Sequence, residues 1–238
     1  MLKEFVEKIV GMAEPTLPVL DGRQYADRPL ALIKPPRSHA PLDLMTLTGL
    51  VDAVRVKLDD LAVDNWVIEV LSHEQVRLVS RCTNHYGERE ILLSATLTDG
   101  KVFPFGTFLQ REEFVIGLQS RFVPDDELRK VLQLASSLEA STVALAEDDG
   151  ISQRTTVKQG VSLKQDVVVK GRVTVRPFRT FREVEQPASE FVFRLRSQHG
   201  AVPDCALFEA DGGKWRLDAV LTIKAWLDAK QLGIPVVA

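Results

Sequence analysis

The chain has 238 residues, 45% of them hydrophobic and 26% charged, with a formal net charge of −3. That composition supports the core of one large domain or two modest ones and argues against wholesale disorder. The small net charge calls for neither a nucleic acid nor an anionic membrane as partner.

Two cysteines, Cys82 and Cys205, are too few for a disulfide framework, so a reducing cytoplasm is the expected compartment. No apolar run approaches the roughly 20 residues needed to span a bilayer. Lys3, Glu4, Glu7 and Lys8 interrupt the first thirteen residues, which are therefore not expected to act as an export signal.

In chain order, residues 2–13 predict a short amphipathic helix. Leu2, Phe5, Val6 and Ile9 fall on one face at spacings of three and four, and Gly11 and Pro15 stop it. So short a helix must dock its stripe on something, either its own domain or another subunit. Asp21-Gly22 supplies the positive φ of a tight turn between residues 17–20 and 23–26, a small hairpin. Four prolines between Arg28 and Pro41 predict an extended connector.

A longer helix is expected over 43–61, with Leu44, Leu47, Val51, Val54 and Leu58 inward and Asp43 or Ser38 as its cap. Three strands in a meander follow, over 65–71, 75–82 and 88–97. Helices are expected over 110–121 and 125–139, the second opened by Pro124 and the acidic run Asp125-Asp126-Glu127. From Ser141 to Ser197 the period changes to two. It predicts strands over 142–146, 153–158, 165–169, 172–177 and 190–197, then a further strand over 206–210. Asp211-Gly212-Gly213 reads as a turn before a helix over 214–232, and 234–237 reads as an edge strand.

Strand runs segregated from helix runs define an α+β fold with largely antiparallel sheets and segregated helices. The organisation is either an acidic α+β region over 1–146 and a basic, strand-rich region over 147–238 that ends in a helix, or one continuous domain.

Charge is unevenly spread. Residues 151–200 hold 10 Lys and Arg against 4 Asp and Glu, a basic stretch in an otherwise acidic chain. Arg172 and Arg176 share a strand face. Phe178-Arg179 and Phe181-Arg182 interleave rings with guanidinium groups, and Arg194 and Arg196 share a face further on. Charges that track phosphates beside rings that stack bases form a single-stranded nucleic-acid platform. Equally, a basic sheet face can pair with an acidic surface of the same chain or of a second copy. Phe191 and Phe193 alternate cleanly and read as core.

No phosphate-binding glycine loop, dinucleotide fingerprint or nucleophile elbow is present. Pro203-Asp204, Glu209 and Lys214 resemble a nuclease carboxylate–lysine set, but Gly212 stands where the second acid is needed. Cys82, His85, His199 and Cys205 offer zinc-ligand types, against the simpler reading of a buried free cysteine. The run Glu147-Asp148-Asp149-Gly150 reads as a solvated turn rather than a cation site. His39 and His73 read as exposed. No catalytic residue, metal or cofactor is expected, and the chain is not expected to be an enzyme.

The runs from Pro177 to Pro187, from Phe191 to Arg194 and from Ala206 to Trp215 resemble uncharacterised early-region proteins of tailed phages and prophages, and more loosely the YfdQ-like prophage family. Leu47-Thr48-Gly49-Leu50-Val51-Asp52 fits the helix that opens such proteins. The resemblance implies work in the cytoplasm of a bacterial host and carries over no catalytic residue. The leading expectation is a non-enzymatic homo-oligomer, with Leu2, Phe5, Val6 and Ile9 supplying the apolar part of the contact. The alternatives are a single-stranded nucleic-acid binder using the arginines and rings named above, or a counter-defence protein that captures a signalling nucleotide.

Overall fold

The computed structural model describes residues 2–13, 18–20, 23–26, 40–58, 61–81, 89–98, 102–138, 147–148, 153–159, 163–169, 171–196 and 202–238. Contacts divide the chain into residues 1–40 and residues 41–238. In the first unit, helix α1 (Leu2–Ala13) forms as its apolar spacing requires. Strands β1 (Val19–Leu20) and β2 (Arg23–Gln24) pair antiparallel, with Val19 opposite Gln24.

Alternation drives the larger unit. Strands β4 (Trp66–Ser72), β5 (Gln75–Ser80) and β6 (Ile91–Thr96) make the expected antiparallel meander. Ile68, Val70, Val76, Leu78, Leu93 and Ala95 send their side chains to one buried face. Two short strands extend the sheet in parallel: β3 (Leu42–Leu44) beside β6, and β13 (Val236–Val237) beside β4. The five-stranded sheet is therefore mixed, in the order β13-β4-β5-β6-β3, rather than antiparallel throughout. Helices α2 (Leu47–Arg55) and α5 (Trp215–Asp228) cover its buried face with Leu47, Leu50, Val51, Val54, Ile223 and Leu227.

The helix expected over 43–61 is shorter at both ends. Leu42–Leu44 satisfies its backbone by pairing with Leu93–Ala95, so the helix starts at Leu47, four residues later than expected. Its cap is Thr46, not Asp43: the Thr46 hydroxyl accepts the Gly49 N–H at 3.0 Å. Ser38, the other expected cap, lies outside the described residues. Lys57, at φ 51°, turns the chain off the helical path.

A second core is built on β10 (Arg172–Val175), β11 (Ser189–Arg196) and β12 (Asp204–Glu209), an antiparallel sheet in that order. Phe191 and Phe193 are fully buried there, as their alternation requires. Helices α3 (Arg111–Arg121) and α4 (Asp126–Ser136) pack on it through Phe114, Leu118, Leu128, Val131 and Ala135. Burying a ring such as Phe114 contributes about 1.5–3 kcal/mol. Asp125 caps α4 by accepting the Leu128 N–H at 2.8 Å, at the acidic start read from the sequence. A Cβ on Gly117 would come within 2.8 Å of the Phe103 ring, so glycine lets that ring lie directly against α3.

The boundary expected near residue 147 falls within the stretch of chain that builds the second core. Residues on both sides of it share the second core, and Leu109 and Phe122 form bridges to Cys205 and Pro177. Between them in sequence, β7 (Glu147–Asp148), β8 (Gln153–Gln159) and β9 (Leu163–Val169) form a separate antiparallel sheet, with Val157 opposite Gln165. The strand expected over 142–146 lies outside the described residues.

Candidate functional site

After β10 the chain leaves the second sheet and crosses to the first core, where Phe181 and Val184 are buried. Gln186 holds this crossing in shape. Its side-chain oxygen accepts the N–H groups of Arg179 and Thr180 at 3.0 and 3.2 Å, and its nitrogen donates to the Phe181 carbonyl at 3.0 Å. Thr180 donates its hydroxyl to the His73 carbonyl at 2.6 Å, and the Glu183 carboxylate accepts the Thr48 N–H at the start of α2. The crossing is thus tied to two other elements.

This geometry fixes Arg179. Its side chain is only 4% exposed and donates from Nη1 to Glu209 Oε1 at 2.6 Å. The guanidinium carbon lies 4.6 Å from the Phe105 ring centre, 5.0 Å from Phe191 and 4.5 Å from Trp215. Rings around a desolvated guanidinium stabilise its charge through their quadrupoles. Among the described residues, Nε and Nη2 meet no acceptor. Burial lowers the Arg179 pKa to about 10 against the pull of Glu209 and Asp211, with Arg216 adding to the fall. The group is still a cation at neutral pH.

Arg179 lines a pocket of about 600 Å³. Four guanidinium groups, from Arg121, Arg179, Arg182 and Arg216, face it against two carboxylates, Glu74 and Glu209. Phe103, Phe105, Phe178 and Trp215 supply rings. The Arg182 guanidinium lies over Phe178 at 3.9 Å. His73 packs edge-on to Trp215, with ring centres 4.7 Å apart, and its Nε2 is 3.3 Å from Glu74 Oε1. Trp215 Nε1 and Asp211 Oδ2 are buried without a hydrogen-bond partner among the described residues. Gly212 and Gly213, at φ 63° and 80°, turn β12 into α5 and so bring Trp215 and Arg216 to the pocket.

The arginines singled out in the sequence are therefore not one open basic face. Arg172 pairs with Glu190 at 3.0 Å, Arg176 with Glu185 at 2.9 Å and Arg196 with Asp204 at 2.9 Å. Arg196 also lies over the Phe108 ring. Arg194 is half-buried. Phe181, expected as a stacking platform, is fully buried because the crossing needs an apolar anchor in the first core. The structure brings Phe178, Arg179 and Arg182 together in the pocket and leaves Arg172 and Arg176 outside its lining.

His73, expected to be exposed, is largely covered, its side chain 18% exposed. The sequence reading missed Phe105, Arg121, Trp215 and Arg216 as site residues. The glycine pair before Trp215-Arg216 was the available signal, since it places the start of α5 beside the end of β12. Of the zinc-ligand types, Cys82, His85 and His199 lie outside the described residues. Burial pushes the Cys205 thiol up to about 12, reinforced by Asp204 and opposed by Arg111, so it stays protonated at neutral pH. No group of three His, Cys, Asp or Glu among the described residues could hold a metal ion. His39 and the side chains of Glu147-Asp148-Asp149 lie outside the described set.

In the unit of residues 1–40, Leu2, Phe5, Val6 and Ile9 are all exposed, at 81, 62, 51 and 50%. No helix among the described residues is long and apolar enough to cross a membrane. In comparisons with known proteins, no family model, curated protein or solved structure matches the chain.

Proposed function

We propose that the chain is a binding protein whose pocket captures a small anionic molecule. One observation carries this: Arg179 is buried among three rings with two nitrogens that meet no acceptor among the described residues, at the wall of a cavity of about 600 Å³. A desolvated donor without an acceptor costs about 1–3 kcal/mol, and an anion seated in the pocket repays that cost in the bound state. The cavity falls in the range of small-molecule sites, roughly 300–1,000 Å³. Inorganic phosphate titrated calorimetrically into the chain should bind saturably and more weakly as salt is raised. Arg179→Met should abolish the binding. Absence of saturable heat at low ionic strength overturns the proposal.

An extended single strand tracked by Arg172, Arg176, Arg179 and Arg182 draws less support, because the first two are each paired with a carboxylate and Phe181 is inside the core. The second reading is self-association to a homo-oligomer through α1, favoured by its four exposed apolar side chains. Light scattering should then report a multiple of the 26.5 kDa chain mass, reduced by Phe5→Glu. A monomeric parent removes this reading. If the chain shares the role that its resemblance to phage proteins implies, the two features correspond to counter-defence by ligand capture and to assembly.

A further inference from the structure

We infer that the anion is a nucleoside phosphate, seated in a pocket whose lining suits both a phosphate and a base. The inference rests on the anion-binding proposal and names the ligand class of the same site.

Around Arg179 and Trp215 buried donors stand beside the carboxylates of Glu209 and Asp211. The guanidinium carbons of Arg179 and Arg216 lie 4.5 and 4.8 Å from the centre of the same Trp215 ring. Two nitrogens of Arg179 and the Trp215 indole nitrogen are buried without partners among the described residues. The nearest carboxylate, Glu209, engages only one Arg179 nitrogen. A phosphoryl group carries several acceptor oxygens at tetrahedral spacing and can take hydrogen bonds from more than one such donor at once. A single carboxylate has two oxygens in one plane and matches a spread set of donors less well.

The same lining also carries flat surfaces. Arg182 is exposed and stacks on half-buried Phe178 at 3.9 Å, and both line the pocket. Nucleobases stack on rings and on guanidinium planes alike. The volume is larger than a lone phosphate requires, so the pocket has room for a base attached to a phosphate seated on Arg179.

The test compares three probes by calorimetry at one salt concentration: inorganic phosphate, ribose 5-phosphate and adenosine monophosphate. The base should contribute about tenfold or more in affinity over ribose 5-phosphate. Phe178→Ala and Arg182→Ala should each erase most of that advantage, read as the ratio of adenosine monophosphate to ribose 5-phosphate affinity within each variant, because Arg182→Ala also removes one of the guanidinium groups that face the pocket and lowers the affinity for every phosphate. Equal affinity for adenosine monophosphate and ribose 5-phosphate, with both binding, overturns the nucleoside assignment and leaves the anion pocket standing. If Arg182→Ala keeps the full advantage of the base, the assignment is likewise overturned. Binding of none of the three removes the anion proposal itself.

Discussion

The side-chain oxygen of Gln186 accepts the backbone N–H of Arg179 at 3.0 Å, and the same amide donates to the Phe181 carbonyl at 3.0 Å. A buried side chain seven residues away in sequence thereby replaces the ladder partners that this backbone would have in a sheet. Gln186→Leu keeps most of the volume and removes every one of these bonds, leaving buried N–H and C=O groups unpaired. Urea unfolding should show a loss of about 3 kcal/mol. A loss below about 0.5 kcal/mol would show that the crossing is held by something else.

Gly212 and Gly213 make a matched pair of probes. Both have positive φ, so alanine at either costs about 1 kcal/mol in backbone strain. Only at Gly213 would the new Cβ meet a side chain, 2.6 Å from Arg216 Nη1; at Gly212 it meets nothing within 4 Å. The two variants should therefore lose similar stability, while phosphate affinity falls several-fold in Gly213→Ala alone. Equal affinities would mean that the position of Arg216 does not matter to the pocket.

Most elements were legible because local pattern and tertiary role agree in them. The β4-β5-β6 alternation, the acidic start of α4 and the Phe191–Phe193 period each follow from neighbours in sequence. The start of α2 was not legible, because the parallel pairing of Leu42–Leu44 with β6 reaches across some fifty residues. The site was half legible. Arg179, Arg182 and Phe178 stood out by composition. That Phe181 points inward while Phe178 lines the pocket depends on Gln186 and on the distant core, which no local spacing reports. The carboxylates that pair Arg172 and Arg196 stand opposite or next to opposite on neighbouring strands, so strand register decided their fate.

His73 makes the pocket sensitive to acid. Burial holds its pKa below the usual 6.5; Glu74 opposes the fall, while Arg216 and Arg179 add to it. A folded-state pKa below the unfolded value means that this group's contribution to stability is complete above about pH 6.5 and is lost as pH falls through the folded value. His73→Phe should flatten the stability profile as pH falls below 6.5. An anion in the pocket offsets both arginines and raises the His73 pKa, so the parent should bind it more tightly as pH falls. Sulfate is the suitable probe because its own charge does not change in this window. Parallel sulfate affinities in parent and variant from pH 7.5 to 5.5 would sink the linkage.

Arg179 separates binding from stability most cleanly. Its guanidinium is desolvated, two of its nitrogens meet no acceptor among the described residues, and its carboxylate partner Glu209 remains 36% exposed and can be hydrated alone. Removing a buried charge is severe when the partner is left buried and unpaired, which is not the case for Glu209. Arg179→Met replaces the cation with a flexible side chain whose sulfur packs well against Phe105, Phe191 and Trp215. Its unfolding free energy should lie within about 1 kcal/mol of the parent, while phosphate binding disappears. A group kept for packing would behave in the opposite way: the variant would lose several kcal/mol, and any residual folded protein would bind phosphate as the parent does.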